Sequence, residues 1–133
     1  MIVATTQDLS NRYGALGDVL NAAYGAKFIE RYHEPDAGQF ECLYNFLVSP
    51  AGESPFSVSI ADDRKCLLLD GLPEQNGRAV MAIVKALPDV DPIMLADPDG
   101  GEFCIVTPDI TADDVATQRD WRPISEIDLN VWG

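Results

Sequence analysis

PFSVSIADDRKCLLLDGLPEQNGRAVMAIVKAL, residues 55–87, decides the fold class of this chain. Phe56, Val58 and Ile60 alternate with Ser57 and Ser59, a period of two that places the apolar side chains on one face of a strand. Asp62-Asp63-Arg64-Lys65 turns the chain. Cys66 to Leu69 is apolar without a break, which predicts a central strand covered on both faces. Asp70-Gly71 ends it, and Pro73 sits at the first helical position, where no amide proton is needed. Val80, Ile83, Val84 and Leu87 then recur at helical spacing, so a helix is expected to lie across the sheet.

Upstream, Leu9, Tyr13, Leu16, Leu20 and Ala23 fall three or four residues apart, one face of a helix. Thr5 followed three residues later by Asp8 is a variant capping box for its start, and Gly25 is placed to close it. Gly14 and Gly17 weaken that helix by about 1 kcal/mol each relative to alanine. Phe28 to His33 reads as a short strand and Glu34 to Gly38 as a turn. Phe40, Cys42, Tyr44, Phe46 and Val48 alternate with Glu41, Leu43, Asn45 and Leu47, a strand with one apolar and one mixed face.

Downstream, Pro88 stops the helix. Ile93–Ala96 and Phe103–Val106 form a hairpin around Asp97-Pro98-Asp99-Gly100-Gly101. Thr111 with Asp114 caps a short helix from Ala112 to Gln118. The tail, with Ile127, Leu129 and Val131 in alternation, is expected to add an edge strand paired with Ile2-Val3. The fold expected from these elements is a single α+β domain over residues 1–133: an antiparallel sheet of about five to seven strands, with two main helices packed on one face and a short third helix. The order helix, strands, helix, hairpin, short helix resembles the layout of the class I type III secretion chaperones. That resemblance implies a homodimer holding an extended segment of an effector. The short last helix and the strand-like tail depart from it.

Composition narrows the function. Nine Lys and Arg against 22 Asp and Glu leave a net charge of −13, which opposes binding to nucleic acid, where basic side chains must displace counterions from phosphates. Anionic membrane surfaces are disfavoured for the same reason. No apolar run approaches the ~20 residues of a membrane-spanning helix. The N-terminus has neither a basic region nor a long apolar core, so the cytoplasm is the expected compartment. Three cysteines, Cys42, Cys66 and Cys104, each inside an apparent strand, read as small core residues rather than a disulfide or zinc set.

Chemistry-bearing patterns are sparse. His33 stands as the single histidine, next to Arg31, Glu34 and Asp36 that would tune a base. Ser49, Ser54, Ser57 and Ser59 lack the strand-to-helix elbow of a nucleophile. Asp97 to Gly101 begins like a calcium loop, but glycine falls at the fifth position and Pro108 at the twelfth, so no metal or cofactor is expected. Asp62-Asp63 and Asp113-Asp114 read as turn and helix-start acids.

What stands out is the run from Ala86 to Gln118, which contains no Lys or Arg. The expected function is therefore a non-catalytic acidic protein-binding domain of the immunity-protein or inhibitor type, which neutralises a basic toxin or enzyme by opposed surface potentials. The expected contact set is Asp62, Asp63, Asp89, Asp91, Asp97, Asp99, Glu102, Asp109, Asp113 and Asp114, with Trp121 or Trp132 as an exposed aromatic anchor. The alternatives are the chaperone-like homodimer and a small enzyme with dispersed carboxylates.

Overall fold

The computed structural model describes residues 1–24, 29–33, 42–61 and 63–132, with the backbone alone at 29–33 and 42–44. Its strands are β1 (Ile2–Thr5), β2 (Ile29–His33), β3 (Cys42–Val48), β4 (Phe56–Ala61), β5 (Cys66–Leu69), β6 (Ile93–Asp97), β7 (Glu102–Ile105) and the two-residue β8 (Arg122–Pro123). They form an eight-stranded sheet in the order β2-β3-β4-β5-β1-β6-β7-β8, and every pairing is antiparallel. Helices α1 (Tyr13–Tyr24), α2 (Pro73–Ala86) and α3 (Ala112–Thr117) lie on one face, and α4 (Leu129–Trp132) is a single C-terminal turn. The expected α+β architecture is the one found.

Alternation along the strands builds the core. Phe46, Val48, Phe56, Val58, Ile60, Leu67, Val3 and Leu95 are buried towards the helices, against Leu16 and Leu20 of α1, Val80 and Ile83 of α2, and Val115 of α3. β5 is central but not doubly buried: Leu67 and Leu69 point to the helices, while Cys66 and Leu68 are half-exposed on the back. Over β1, β6 and β7 the back carries a second, smaller cluster of Ala4, Met94, Ala96 and Phe103, packed by Ile124, Ile127 and Trp132.

Three expectations are corrected. First, the tail is not a strand, and Ile2-Val3 has no free edge to offer it, because β1 is hydrogen-bonded to β5 on one side and to β6 on the other. The tail instead forms a 3-10 turn at Ile124–Glu126 and the turn of α4, with Ile127 packed on the back cluster and Leu129 and Val131 exposed. Second, α1 begins at Tyr13 behind a 3-10 turn at Ser10–Arg12. Thr5 ends β1 and donates its hydroxyl to the Gln7 and Lys65 carbonyls, and Asp8 accepts from the Ser10 amide and hydroxyl, so neither caps the helix. Third, β7 ends at Ile105 and α3 at Thr117, with Gln118 in the left-handed region at φ 54°. Gly25, Phe28, the turn at 34–38, Phe40 and Glu41 lie outside the described residues.

α2 is seated by polar contacts that hydrophobic periodicity does not announce. The buried Gln75 side chain accepts from the Leu72 amide (2.9 Å) and donates to the Ser54 carbonyl (2.7 Å). Its neighbour Asn76 clasps Gly71 through both backbone groups, each at 3.0 Å. Tyr24, at the end of α1, donates to the Gln75 carbonyl (3.1 Å), meets Phe56 edge-on and lies under the Arg78 guanidinium, which also holds Glu53. Farther along α2, Gly77 lets α3 come close: a Cβ there would stand 2.5 Å from the Ala112 carbonyl oxygen.

Opposite signs are expected for two glycine-to-alanine changes. Gly77→Ala forces the two helices apart and should destabilise by about 1–3 kcal/mol, outweighing the helix-propensity gain. Gly14→Ala meets nothing within 4 Å and should stabilise by up to about 1 kcal/mol. Gln75→Ala removes the two part-buried hydrogen bonds to the Leu72 amide and Ser54 carbonyl and should cost about 1–3 kcal/mol. Urea unfolding of the three variants measures all of these.

Candidate functional site

The acidic residues singled out from the sequence separate to the two ends of the sheet. β6 spans roughly 13 Å from Ile93 to Asp97 at about 3.3 Å per residue, so Asp91 and Asp97 stand at opposite ends. That separation exceeds the Debye length of about 8 Å at physiological salt, and the two ends act as separate electrostatic surfaces.

At the Ile93 end the acids are largely engaged. Asp89 pairs with Arg12, and its carboxyl is held below the usual range by that guanidinium's hydrogen bond. Asp63 accepts from the amides of Lys65 (2.9 Å) and Cys66 (3.3 Å) in the β4–β5 turn, where Arg64 takes φ 63°. Asp109 accepts from the Thr107 hydroxyl (2.6 Å), which lowers its pKa. Asp91 is exposed, and Asp62 lies outside the described residues. With Arg12, Arg64 and Lys65 among these groups, this end is of mixed sign.

α3 uses its own acids. The Thr111 hydroxyl accepts from the Asp114 amide (3.2 Å) and the Asp114 carboxylate accepts from the Thr111 amide (3.0 Å), the capping box read from the sequence. Asp113 pairs with Arg119 at 3.2 Å. Trp121 cannot serve as an exposed anchor: it is 8% exposed and belongs to the main core. Its position beside polar Arg119, Asp120 and Arg122 concealed this, because Asp120 adopts φ 61° and turns the chain inward. Trp132 is half-buried against the back cluster.

The other end holds an acidic notch. Asp70, at the end of β5, and Asp97 and Asp99, in the β6–β7 hairpin, line a cavity of about 410 Å³ together with Asn76, Gln118 and Met1, and no Lys or Arg side chain lines it. Glu102, half-buried, pairs with Asp97 across the hairpin. Asp97 is the organiser. Its carboxylate accepts from the Gln118 side chain (2.6 Å) and from the amides of Gly100 and Asp99 (3.1 Å each). The Gln118 bond is the main cause of its lowered pKa, followed by the Gly100 amide, with a contribution from the nearby Met1 ammonium.

Asp97 is therefore held by three hydrogen bonds, and Asp70 already accepts from the Ser57 amide (2.5 Å) through one oxygen. Asp99 is exposed, and its carboxylate has no partner among the described residues. A guanidinium or ammonium entering the notch would bond to Asp99 and to the second oxygen of Asp70, with Asp97 supplying a fixed negative field. Asp70 was missed in the sequence because it reads as a strand-ending turn residue. Only the adjacency of β5, β1 and β6 brings it beside Asp97.

The remaining candidates are quickly placed. Cys66 and Cys104 point to opposite faces of the sheet, and burial pushes both thiols up to about 11, so they are protonated near neutral pH. The side chains of His33 and Cys42 lie outside the described set. Among the described residues no group of three or more His, Cys, Asp or Glu is arranged to hold a metal ion, and no helix is long and apolar enough to cross a membrane.

A carboxylate with a depressed folded-state pKa adds stability that is present above its unfolded pKa and lost as pH falls through the folded one. Asp97 should behave this way below about pH 4. Relief of the −13 self-repulsion acts in the opposite direction on acidification, so the informative quantity is a difference. Thermal melts from about pH 5 to 2.5 should show wild type losing stability more steeply than Asp97→Asn; parallel curves would assign Asp97 no such role. No protein-family model matches this chain, and neither the curated proteins nor the solved structures give a match.

Proposed function

We propose that this protein is an acidic protein-binding domain of the inhibitor or immunity type, and that it captures a basic partner at the notch formed by Asp70, Asp97 and Asp99. The observation that carries this reading is the meeting of Asp97 and Asp99, from the β6–β7 hairpin, with Asp70, from the end of β5, around one cavity that no Lys or Arg side chain lines and where the Met1 ammonium is the nearby positive group. Of these carboxylates, Asp97 is pinned by three hydrogen bonds. Such a site offers a preorganised negative field and an uncommitted acceptor, the arrangement that receives an Arg or Lys from a partner. A net charge of −13 adds long-range attraction for a cationic molecule, raising the rate of encounter.

The contact set is narrower than the sequence-based one. Asp63, Asp89, Asp113 and Asp114 serve turns, ion pairs and a helix cap, and are left to the structure. Asp99 is the residue on which binding should turn.

The test is affinity capture from the native source with wild-type and Asp99→Lys baits. The expected outcome is a basic polypeptide retained by wild type, released on raising salt from about 0.05 to 0.5 M, and weakened at least roughly tenfold by Asp99→Lys. Retention that ignores both salt and the charge reversal would overturn the reading.

A further inference from the structure

The back of the sheet is a face of a different kind. On its β3–β5 half, Asn45, Leu47, Ser57, Ser59, Cys66 and Leu68 are all half-exposed and none carries a charge. On the β1, β6 and β7 half, the strand positions are Ile2, Ala4, Met94, Ala96, Phe103 and Ile105, again without a charge, and the segment from Ile124 to Trp132 lies over them. In a chain of net charge −13, six neighbouring strands thus keep one face free of carboxylates among their described side chains. Depletion of charge, rather than hydrophobicity alone, distinguishes the centre of an interface.

A second observation points to the same side. Among the described residues the exposed large hydrophobics are Leu72 (56%), Ile105 (39%), Leu129 (74%) and Val131 (48%). Ile105 belongs to the back face by register, and Leu129 and Val131 stand on the turn that packs over it. Two acids lie nearby: Glu126 faces Arg122 at 3.9 Å, and Asp128 accepts from the Asn130 amide at 3.0 Å.

We infer that this face binds a second copy of the same chain, with the Leu129–Val131 turn of each copy seated on the bare β3–β5 half of the other. Charge selects the occupant. Two molecules that each carry −13 repel wherever their carboxylates meet, so close approach is least opposed through the surface with fewest of them, where Glu126 and Asp128 are the acids at hand. Shape makes the contact self-complementary: one half of the face is raised by the C-terminal turn and the other is bare among the described residues, so a two-fold rotation brings each raised half onto a bare one. Five inter-strand spacings of about 4.8 Å make the face roughly 24 Å wide. With strands of four to seven residues, about 13–20 Å long, the flat face covers roughly 300–500 Å², below the about 800 Å² per partner of a standard interface, so the dimer is a weak one.

Salt separates this contact from capture of a basic partner, because screening relieves like-charge repulsion and weakens opposite-charge attraction. Sedimentation velocity from about 10 to 500 µM protein, at about 0.05 and 0.5 M NaCl, should show dimer increasing with both protein and salt concentration. Leu129→Glu should raise the dimer Kd roughly tenfold or more, and so should Val131→Glu. Leu72→Glu adds the same charge at the start of α2, away from this face, and should leave Kd within about twofold. A monomer at the highest protein and salt concentrations would overturn the inference, as would dimerisation weakened by salt or equal effects of Leu72→Glu and Leu129→Glu. A strict monomer that still captured a basic polypeptide would remove the dimer and leave the notch standing.

Discussion

The seating of α2 across the sheet is the constraint on which the rest of the molecule depends. Its apolar stripe supplies burial, but burial alone is non-directional and tolerates sliding. Position along the sheet comes from the first turn, where Gln75 and Asn76 hold the Ser54 loop and the Gly71 backbone. Rotation is fixed by the close approach at Gly77, which admits α3 alongside. With α2 placed, α3 has one position available, and Gln118 at its end reaches Asp97. The acidic notch is thus assembled by two helices and two hairpins that share one anchor, although its carboxylates come from the strand ends.

Charge in this chain is partitioned rather than spread. The Ile93 end of the sheet mixes acids with Arg12, Arg64 and Lys65 and uses most of its carboxylates locally. At the Asp97 end, Asp70, Asp97 and Asp99 share a cavity that no Lys or Arg side chain lines, with Arg122 outside it on β8. The back face carries no charge on its described positions in β1 and β3 to β7, and at its edge Arg122 of β8 stacks over Phe103. Each surface therefore suits a different contact, since opposed potentials steer a cationic molecule to one region while self-repulsion confines like molecules to another.

Periodicity determined the layers. Alternation in Phe56–Ile60 and helical spacing in Val80–Leu87 are local consequences of which side chains must leave water, and they were legible residue by residue. Local polar chemistry was legible too: Pro73 at the first helical position, the Thr111–Asp114 cap and the Asp97–Gly101 hairpin all depend on neighbours in sequence. The tail misled because alternation in sequence does not require alternate burial: Ile124, Ile127 and Trp132 pack on the back cluster while Leu129 and Val131 stay exposed, and nothing local separates this from a strand.

The sequence by itself determined the α+β class, the acidity, the α2 and α3 starts and the absence of a basic stretch between Ala86 and Gln118. Tertiary structure alone decided that β1 is central, that Trp121 is core, that the acidic run divides between two ends, and that Asp70 joins Asp97 and Asp99. The physical reason is that strand pairing is a long-range choice. Hydrogen bonds between β1 and β5 join residues more than sixty positions apart, and backbone groups carry no side-chain code for which partner they take.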